Sequence, residues 1–244
     1  MKLQFLGTGG YHPNERRHTA CLWLPEIGVI FDSGSAAFRV QSRLQTDELD
    51  LFLTHAHLDH VCGLTYFIVP FLKGELKAAT VHVRQPYLNQ IQTHLFAQPI
   101  FAINPGFVYQ ELTKSIRLRD GGQLTYIPLE HPGGSTGFRI DWPGKSFAYI
   151  TDTTANNGYL EFVRGVDLLV HECNFPDSMA EWALKTGHSH TTPVAELARA
   201  AGVKQLVLTH IDPQRPDDDP VGLAIAREIF PATEIAEDLL EIEF

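Results

Sequence analysis

An apolar run, Leu51-Phe52-Leu53, stops at Thr54 and is followed by His55-Ala56-His57-Leu58-Asp59-His60. No other stretch constrains the chain as tightly, because three histidines and an aspartate fall within six residues. In an extended segment His55 and His57 project to the same side, one residue apart. Asp59 and His60 follow close enough to face a second ion. Imidazole and carboxylate without thiolate suit Zn²⁺, Mn²⁺ or Fe, and a carboxylate is able to bridge two ions. A lone histidine is ordinarily a hydrogen-bonded core or surface residue, which is the reading for His12, His18, His82 and His94. That reading fails for the cluster at His55 to His60.

Three further apolar runs end the same way: Tyr126-Ile127-Pro128-Leu129-Glu130-His131, Phe147-Ala148-Tyr149-Ile150-Thr151-Asp152 and Leu206-Val207-Leu208-Thr209-His210. Each delivers a His or Asp where a strand stops, and ligand sites of α/β proteins lie beyond the carboxyl ends of strands. The patterning predicts strands near 2–6, 20–24, 28–32, 49–54 and 79–84, with helices near 35–44, 59–72 and 86–97. The second half repeats the theme, with strands near 115–118, 123–130, 136–141, 146–151, 167–171 and 205–209. Its helices are expected near 157–164, 176–186, 192–201 and 220–229. Two similar halves of strands and helices imply an α/β protein with two sheets covered by helices.

With 244 residues, 44% hydrophobic and 20% charged, and no linker or low-complexity tract, residues 1–244 are expected to form a single domain. The opening MKLQFLGTGG reads as a strand rather than a signal peptide. The apolar run Leu64 to Leu72 is too short to cross a bilayer of about 30 Å. No membrane role and a cytoplasmic location are therefore expected. Cys21, Cys62 and Cys173 form no Cys-x-x-Cys pair, so neither a disulfide framework nor a sulfur-rich zinc site is indicated. The net charge of −10 repels polyanions and counts against a broad nucleic-acid surface. It leaves room for a phosphate ester held at bound divalent ions, whose charge inverts the local electrostatics.

The series His55-x-His57-x-Asp59-His60, His131, Asp152 and His210 resembles the complete ligand order of the metallo-β-lactamase superfamily. Leu6-Gly7-Thr8-Gly9 and Phe31-Asp32-Ser33-Gly34 are similar to that family's opening hairpins. The resemblance implies a four-layer αββα sandwich and two divalent ions per chain, with zinc expected and manganese or iron compatible. It places His55, His57 and His131 on one ion and Asp59, His60 and His210 on the other, with Asp152 bridging. It also implies a shared hydroxide as nucleophile, since metal coordination brings the pKa of water to about 7.

His171-Glu172-Cys173-Asn174-Phe175 and Gly187-His188-Ser189 resemble paired segments of ribonuclease Z and related phosphodiesterases. In that branch Glu172 orients His188, which protonates the leaving oxygen, a contribution of ~10²–10⁴-fold. His190 stands where the branch usually has Thr, so His188 and His190 compete for that role and chain order favours His188. A buried ion pair tying two loops is the alternative for Glu172 and His188.

Bacterial ribonuclease Z carries a long arm that grips tRNA between the ligands matching His131 and Asp152, and only Pro132 to Thr151 lies there. Together with the acidic charge, this favours a small or cyclic phosphodiester over tRNA as the expected substrate. The alternatives are tRNA 3′ processing, which needs a basic surface around Arg16-Arg17 or Lys73 and Lys77, and hydrolysis of a carboxylic ester, lactone or thioester. A binding module without chemistry is disfavoured because all seven ligand positions are filled. Leu64 to Leu72 is apolar nearly all round and should be buried on more than one side if helical. Related phosphodiesterases pair through this region, so a homodimer is expected. Aromatics from Phe96 to Tyr109 either line a cleft or pack a loop.

Overall fold

A computed structural model describes every residue of the chain except Pro99, Ala102 and Pro216. Its contacts divide the chain into two compact units, Met1–Thr113 with Asp238–Glu243, and Lys114–Glu237 with Phe244. The first unit holds β1 (Lys2–Gly7), β2 (Cys21–Leu24), β3 (Val29–Phe31), β4 (Glu48–Phe52), β5 (Ala78–Val83) and β6 (Val108–Glu111). The second holds β7 (Ser115–Arg117), β8 (Gln123–Leu129), β9 (Ser135–Trp142), β10 (Lys145–Ile150), β11 (Leu168–Glu172), β12 (Gln205–Thr209) and β13 (Thr233–Ile235). The chain then returns to the first unit as β14 (Leu240–Glu243).

The first sheet runs β14-β1-β2-β3-β4-β5-β6 and the second β13-β12-β11-β10-β9-β8-β7. From β14 to β3 the neighbours are antiparallel, and from β3 to β6 they are parallel. The second sheet has the same composition, antiparallel from β7 to β10 and parallel from β10 to β13. The internal repetition read from the sequence is this shared plan. Its consequence for chemistry is that β3 and β4 end side by side within the first sheet, and β10, β11 and β12 within the second.

Alternation fixes the register. Leu49, Leu51 and Leu53 join Ile30, Val81 and Val83 in one buried cluster, covered by Leu64, Phe67, Tyr87 and Ile91. In the second unit Ala148, Ile150, Leu169, Leu206 and Leu208 pack with Val194, Ala195, Leu197 and Ala198. Full burial of each Leu, Ile or Val among them contributes about 1.5–3 kcal/mol, and a register slip by one residue would expose the whole row.

The helices are α1 (Leu58–Val61), α2 (Ile68–Leu72), α3 (Gln85–Gln90), α4 (Leu160–Val163), α5 (Ala180–Thr186), α6 (Thr191–Ala201) and α7 (Leu223–Ile229). Several predicted helices are irregular or shorter than expected, two of them markedly. The stretch expected at 35–44 is a pair of 3₁₀ turns, Ser35–Arg39 and Gln41–Arg43. The stretch expected at 59–72 is interrupted by a 3₁₀ segment, Cys62–Phe67. There Gly63 donates its N–H to the Ser33 carbonyl at 2.8 Å, a tertiary bond that competes with a regular helix. Burial on more than one side does not hold either: Leu64 and Phe67 are buried, whereas Leu72 is 82% exposed. Strands β6, β13 and β14 were not expected. Each is a sheet edge of three or four residues, paired on one side only, where polar residues interrupt the apolar pattern.

Candidate metal centre

In the first unit the site is built outward from Asp32, which ends β3 with a left-handed φ of 57° and is fully buried. Aspartate tolerates that conformation better than most residues, and such outliers concentrate at functional sites. Its Oδ1 accepts the Thr54 backbone N–H at 2.8 Å, and its Oδ2 accepts from His60 Nδ1 at 2.8 Å. The Thr54 hydroxyl donates to the same carboxylate at 3.0 Å, leaving its oxygen to accept from His55 Nδ1 at 3.0 Å. Protons placed on Nδ1 of both rings leave the Nε2 lone pairs for a ligand, the usual outer-shell arrangement of metal-binding histidines. His60 Nε2 lies 3.4 Å from Asp59 Oδ2. The His55 ring lies 4.4 Å from the rings of both His57 and His60. His55 and His60 are buried, Asp59 is half-buried and His57 is exposed at the start of α1. Gly34 packs so closely that a Cβ there would strike the Asp59 carbonyl oxygen.

In the second unit the adjacent ends of β10, β11 and β12 deliver Asp152, Glu172 and His210. Asp152 and His210 again take left-handed φ values, 51° and 57°. The Asp152 carboxylate is flanked by two imidazoles, with His131 Nε2 3.6 Å from Oδ2 and His210 Nε2 3.3 Å from Oδ1. Each oxygen of the carboxylate thus has an imidazole nitrogen beside it, a donor arrangement suited to divalent ions. His131 donates from Nδ1 to the Gly187 carbonyl at 3.0 Å. Gly187 holds a left-handed φ of 77°, and a Cβ there would run into Pro132. Burial lowers the His131 pKa despite the nearby Asp152, so the ring is held neutral, the form that ligates. Donor atoms of Asp152, His188 and His210 lie within 4.8 Å of one another. Imidazole and carboxylate converging at this range is a donor set for a divalent ion of zinc's type.

Glu172 is fully buried and saturated with donors. Its Oε1 accepts Thr153 N–H at 2.6 Å and His188 Nδ1 at 3.0 Å, and its Oε2 accepts Ser189 N–H at 3.0 Å. Burial alone would raise the carboxyl pKa, but the attraction and hydrogen bond of His188 outweigh it and the pKa falls. The His188 ring stacks on His210 at 5.3 Å and lies 5.0 Å from His131. His190 instead points to Asp177, 2.6 Å away, which also caps α6 through Thr192. His171 donates from Nδ1 to the Glu172 carbonyl at 2.6 Å and accepts from the Tyr159 hydroxyl at 2.8 Å. Burial lowers its pKa.

The outer-shell roles of Asp32, Thr54 and Asn174 were not read from the sequence. Asn174 lies behind His210, its amide donating to the His210 carbonyl at 2.8 Å. Asp32 had a signal: Val29-Ile30-Phe31-Asp32 ends an apolar strand in the same way as the recognised ligands. Of the residues named for a basic surface, three have partners within the chain. Arg17 is 2% exposed and donates to Thr8 Oγ1 at 2.6 Å. Lys77 pairs with Asp47 at 2.5 Å and Lys73 with Glu75 at 3.8 Å. Between His131 and Asp152 the chain makes only a three-residue turn and the β9–β10 hairpin. Among the described residues, no helix is long and apolar enough to cross a membrane.

The whole chain has the metallo-β-lactamase fold expected from its sequence. It superposes on the metallo-β-lactamase-fold protein YhfI of Bacillus subtilis with a TM-score of 0.84 at 18% identity, covering 99% of both chains. It also matches the short form of human tRNase Z with a TM-score of 0.76 at 22% identity, covering 100% of this chain and 99% of that one. The beta-lactamase superfamily domain profile matches residues 29–211, and the chain belongs to that superfamily. The protein is a metal-dependent hydrolase of its nuclease and phosphodiesterase branch, for which the fold implies a pair of divalent ions. Ribonuclease Z of Trichodesmium erythraeum is 30% identical, with 100% of this chain and 95% of that protein aligned.

The comparisons correct the expected preference for a small phosphodiester over tRNA, because the curated relatives are ribonucleases Z. That expectation rested on the missing arm and the net charge. An arm adds grip on a large substrate, and neither its absence nor the net charge determines which bond is cleaved.

Proposed function

We propose that the chain is a ribonuclease Z-type endoribonuclease that removes the 3′ trailer from precursor tRNA, with residues 1–244 acting as a single hydrolase domain. The observation that carries this reading is the Glu172–His188 pair, whose 3.0 Å hydrogen bond fixes a histidine against Asp152 and His210. A hydrolase whose leaving group is a sugar oxygen needs such a proton donor.

In this reading His55, His57 and His131 would hold one ion, Asp59, His60 and His210 the other, and Asp152 would be a ligand common to both. Zinc fits these donors, and manganese or iron are compatible. When bound, the pair polarises the phosphoryl group and lowers the pKa of water to about 7. Asp59 is a ligand that also stands to take a proton from the attacking water. Glu172 holds the His188 proton at Nδ1 and stabilises the imidazolium, and Nε2 of that ring protonates the leaving 3′ oxygen. Asp32 and Thr54 fix the tautomers of His60 and His55. The gap opposite the relatives fits a reduced grip on RNA: the alignment with the Trichodesmium protein spans 306 positions against 244 residues here. With a net charge of −10, binding is expected to depend on added Mg²⁺.

The test is incubation of the metal-loaded chain with a 5′-labelled precursor tRNA bearing a 3′ trailer. One cut at the 3′ end of the acceptor stem is expected, lost in His188→Ala and Asp59→Ala. No cut, with turnover of an activated lactone or thioester instead, would reject the reading. A homodimer is proposed through the outer side of the 62–72 segment, where Tyr66, Val69 and Leu72 are exposed. Sedimentation of Leu72→Glu should then give a monomer. A cytoplasmic location belongs to the same proposal.

A further inference from the structure

Tyr11 occupies a left-handed conformation, φ 60°, although it is neither Gly nor Asn, and it is 74% exposed. A bulky residue at positive φ is a genuine outlier, and no burial of the ring compensates the strain. The loop around it is closed by local bonds: Gly9 N–H donates to the His18 carbonyl at 2.9 Å and His12 N–H to the Gly10 carbonyl at 2.8 Å. Its own N–H donates to Asp59 Oδ2 at 2.8 Å. The Tyr11 backbone is thereby attached to a carboxylate of the candidate metal centre, which keeps its exposed side chain rooted at the edge of that centre. Leu58, the chain neighbour of Asp59, is itself 70% exposed. Single exposed apolar residues need no explanation. Here one, Tyr11, is strained and anchored through its backbone to the Asp59 carboxylate, and the other, Leu58, adjoins Asp59 in the chain.

The charge distribution says what such a rim would hold. The chain carries 29 acidic against 19 basic residues. Arg17 is buried, and Lys73 and Lys77 face Glu75 and Asp47. Phosphate contacts from Lys73 and Lys77 would compete with these carboxylates, and the alignment with the Trichodesmium protein is longer than this chain, 306 positions against 244 residues. An aromatic face remains, and bases stack on aromatic side chains with little dependence on sequence.

We propose that Tyr11 is the stacking platform for the nucleobase flanking the scissile phosphate, with Leu58 as its apolar border. It is a specificity-determining residue for the proposed ribonuclease, and the inference rests on that reading. Loss of one base stack weakens binding by about tenfold to a hundredfold.

The experiment is a double-mutant cycle on RNA binding. The wild type, Tyr11→Gly and Tyr11→Phe are each titrated with a cleavage-resistant precursor tRNA carrying 2-aminopurine, or no base, at either nucleotide beside the scissile phosphate. The wild type and Tyr11→Phe should quench 2-aminopurine at one of the two positions and lose about tenfold or more in affinity when that base is removed. Tyr11→Gly should show neither effect, and since it relieves the positive φ it should unfold no earlier. Equal penalties for base removal in the wild type and Tyr11→Gly, while the wild type still cleaves the parent RNA, would overturn the platform and leave the ribonuclease reading standing. A wild type that neither binds nor cleaves the RNA would overturn both.

Discussion

Replacing Glu172 by glutamine separates the orientation of His188 from the presence of its ring. The carboxylate accepts three hydrogen bonds, at 2.6, 3.0 and 3.0 Å, from Thr153 N–H, His188 Nδ1 and Ser189 N–H. A glutamine oxygen placed at the Oε1 position keeps the first two, but its amide then faces the Ser189 N–H donor to donor. One charge-assisted bond is lost outright, which costs about 1.5–3 kcal/mol, and the other two lose their ionic partner. The imidazolium formed as His188 accepts or delivers a proton also loses its counter-charge. Since general acid assistance contributes ~10²–10⁴-fold, kcat on precursor tRNA should fall about a hundredfold or more with KM within about twofold. Urea unfolding followed by circular dichroism reads the stability, and single-turnover cleavage reads the chemistry. His188→Ala should match the kinetic loss, and the double variant should lose little beyond either single one. A kcat within about threefold of wild type in Glu172→Gln, despite the expected destabilisation, would show that the pair only ties two loops together.

Asp32→Ala removes the acceptor for His60 Nδ1 and two bonds to Thr54 in a fully buried place. It should weaken binding of the metal held by His60 about 10–100-fold, measured by competition with a chromophoric chelator. Gly34→Ala would drive a methyl group into the Asp59 carbonyl oxygen and within 2.8 Å of the Ala20 carbonyl. The backbone of Asp59 must move, so metal content and activity should fall together even where circular dichroism is unchanged. Asp177 is held below its ordinary pKa of 3.8 because bonds from Thr192 and His190 outweigh the opposing effect of burial. A depressed carboxyl stabilises the fold above its unfolded pKa and ceases to as pH falls through the folded one. The urea midpoint of wild type should therefore drop more than that of Asp177→Asn between about pH 5 and about pH 3.

The candidate site was legible because the side chains proposed as ligands follow the ends of regular strands. The runs ending at His55, Asp152 and His210 are continuous and apolar, and each occupies an interior strand flanked on both sides, where burial makes the pattern strong. The edges β6, β13 and β14 lack that constraint, so Thr233-Glu234-Ile235 and Leu240-Glu241-Ile242-Glu243 read as loop or tail. The breaks in the 59–72 segment depend on contacts that no local pattern encodes, such as Gly63 against the Ser33 carbonyl. The same limit explains Arg17. Its neighbour in sequence, Arg16, suggested a basic surface, but the loop turns Arg17 inward onto Thr8. Choosing between His188 and His190 as partner of Glu172 was likewise a tertiary question, decided geometrically by Asp177 claiming His190.

The central claim is that the proposed ribonuclease needs two divalent ions per chain and that Asp152 is among the residues that would hold them. Its most direct test is to strip the chain, titrate it with Zn²⁺, and follow bound metal and precursor-tRNA cleavage on the same samples, for wild type and Asp152→Ala. The account predicts two ions per chain in the wild type with cleavage appearing as the second binds, and fewer than two with no cleavage in Asp152→Ala. Saturation at a single ion, or cleavage that survives stripping, would contradict it.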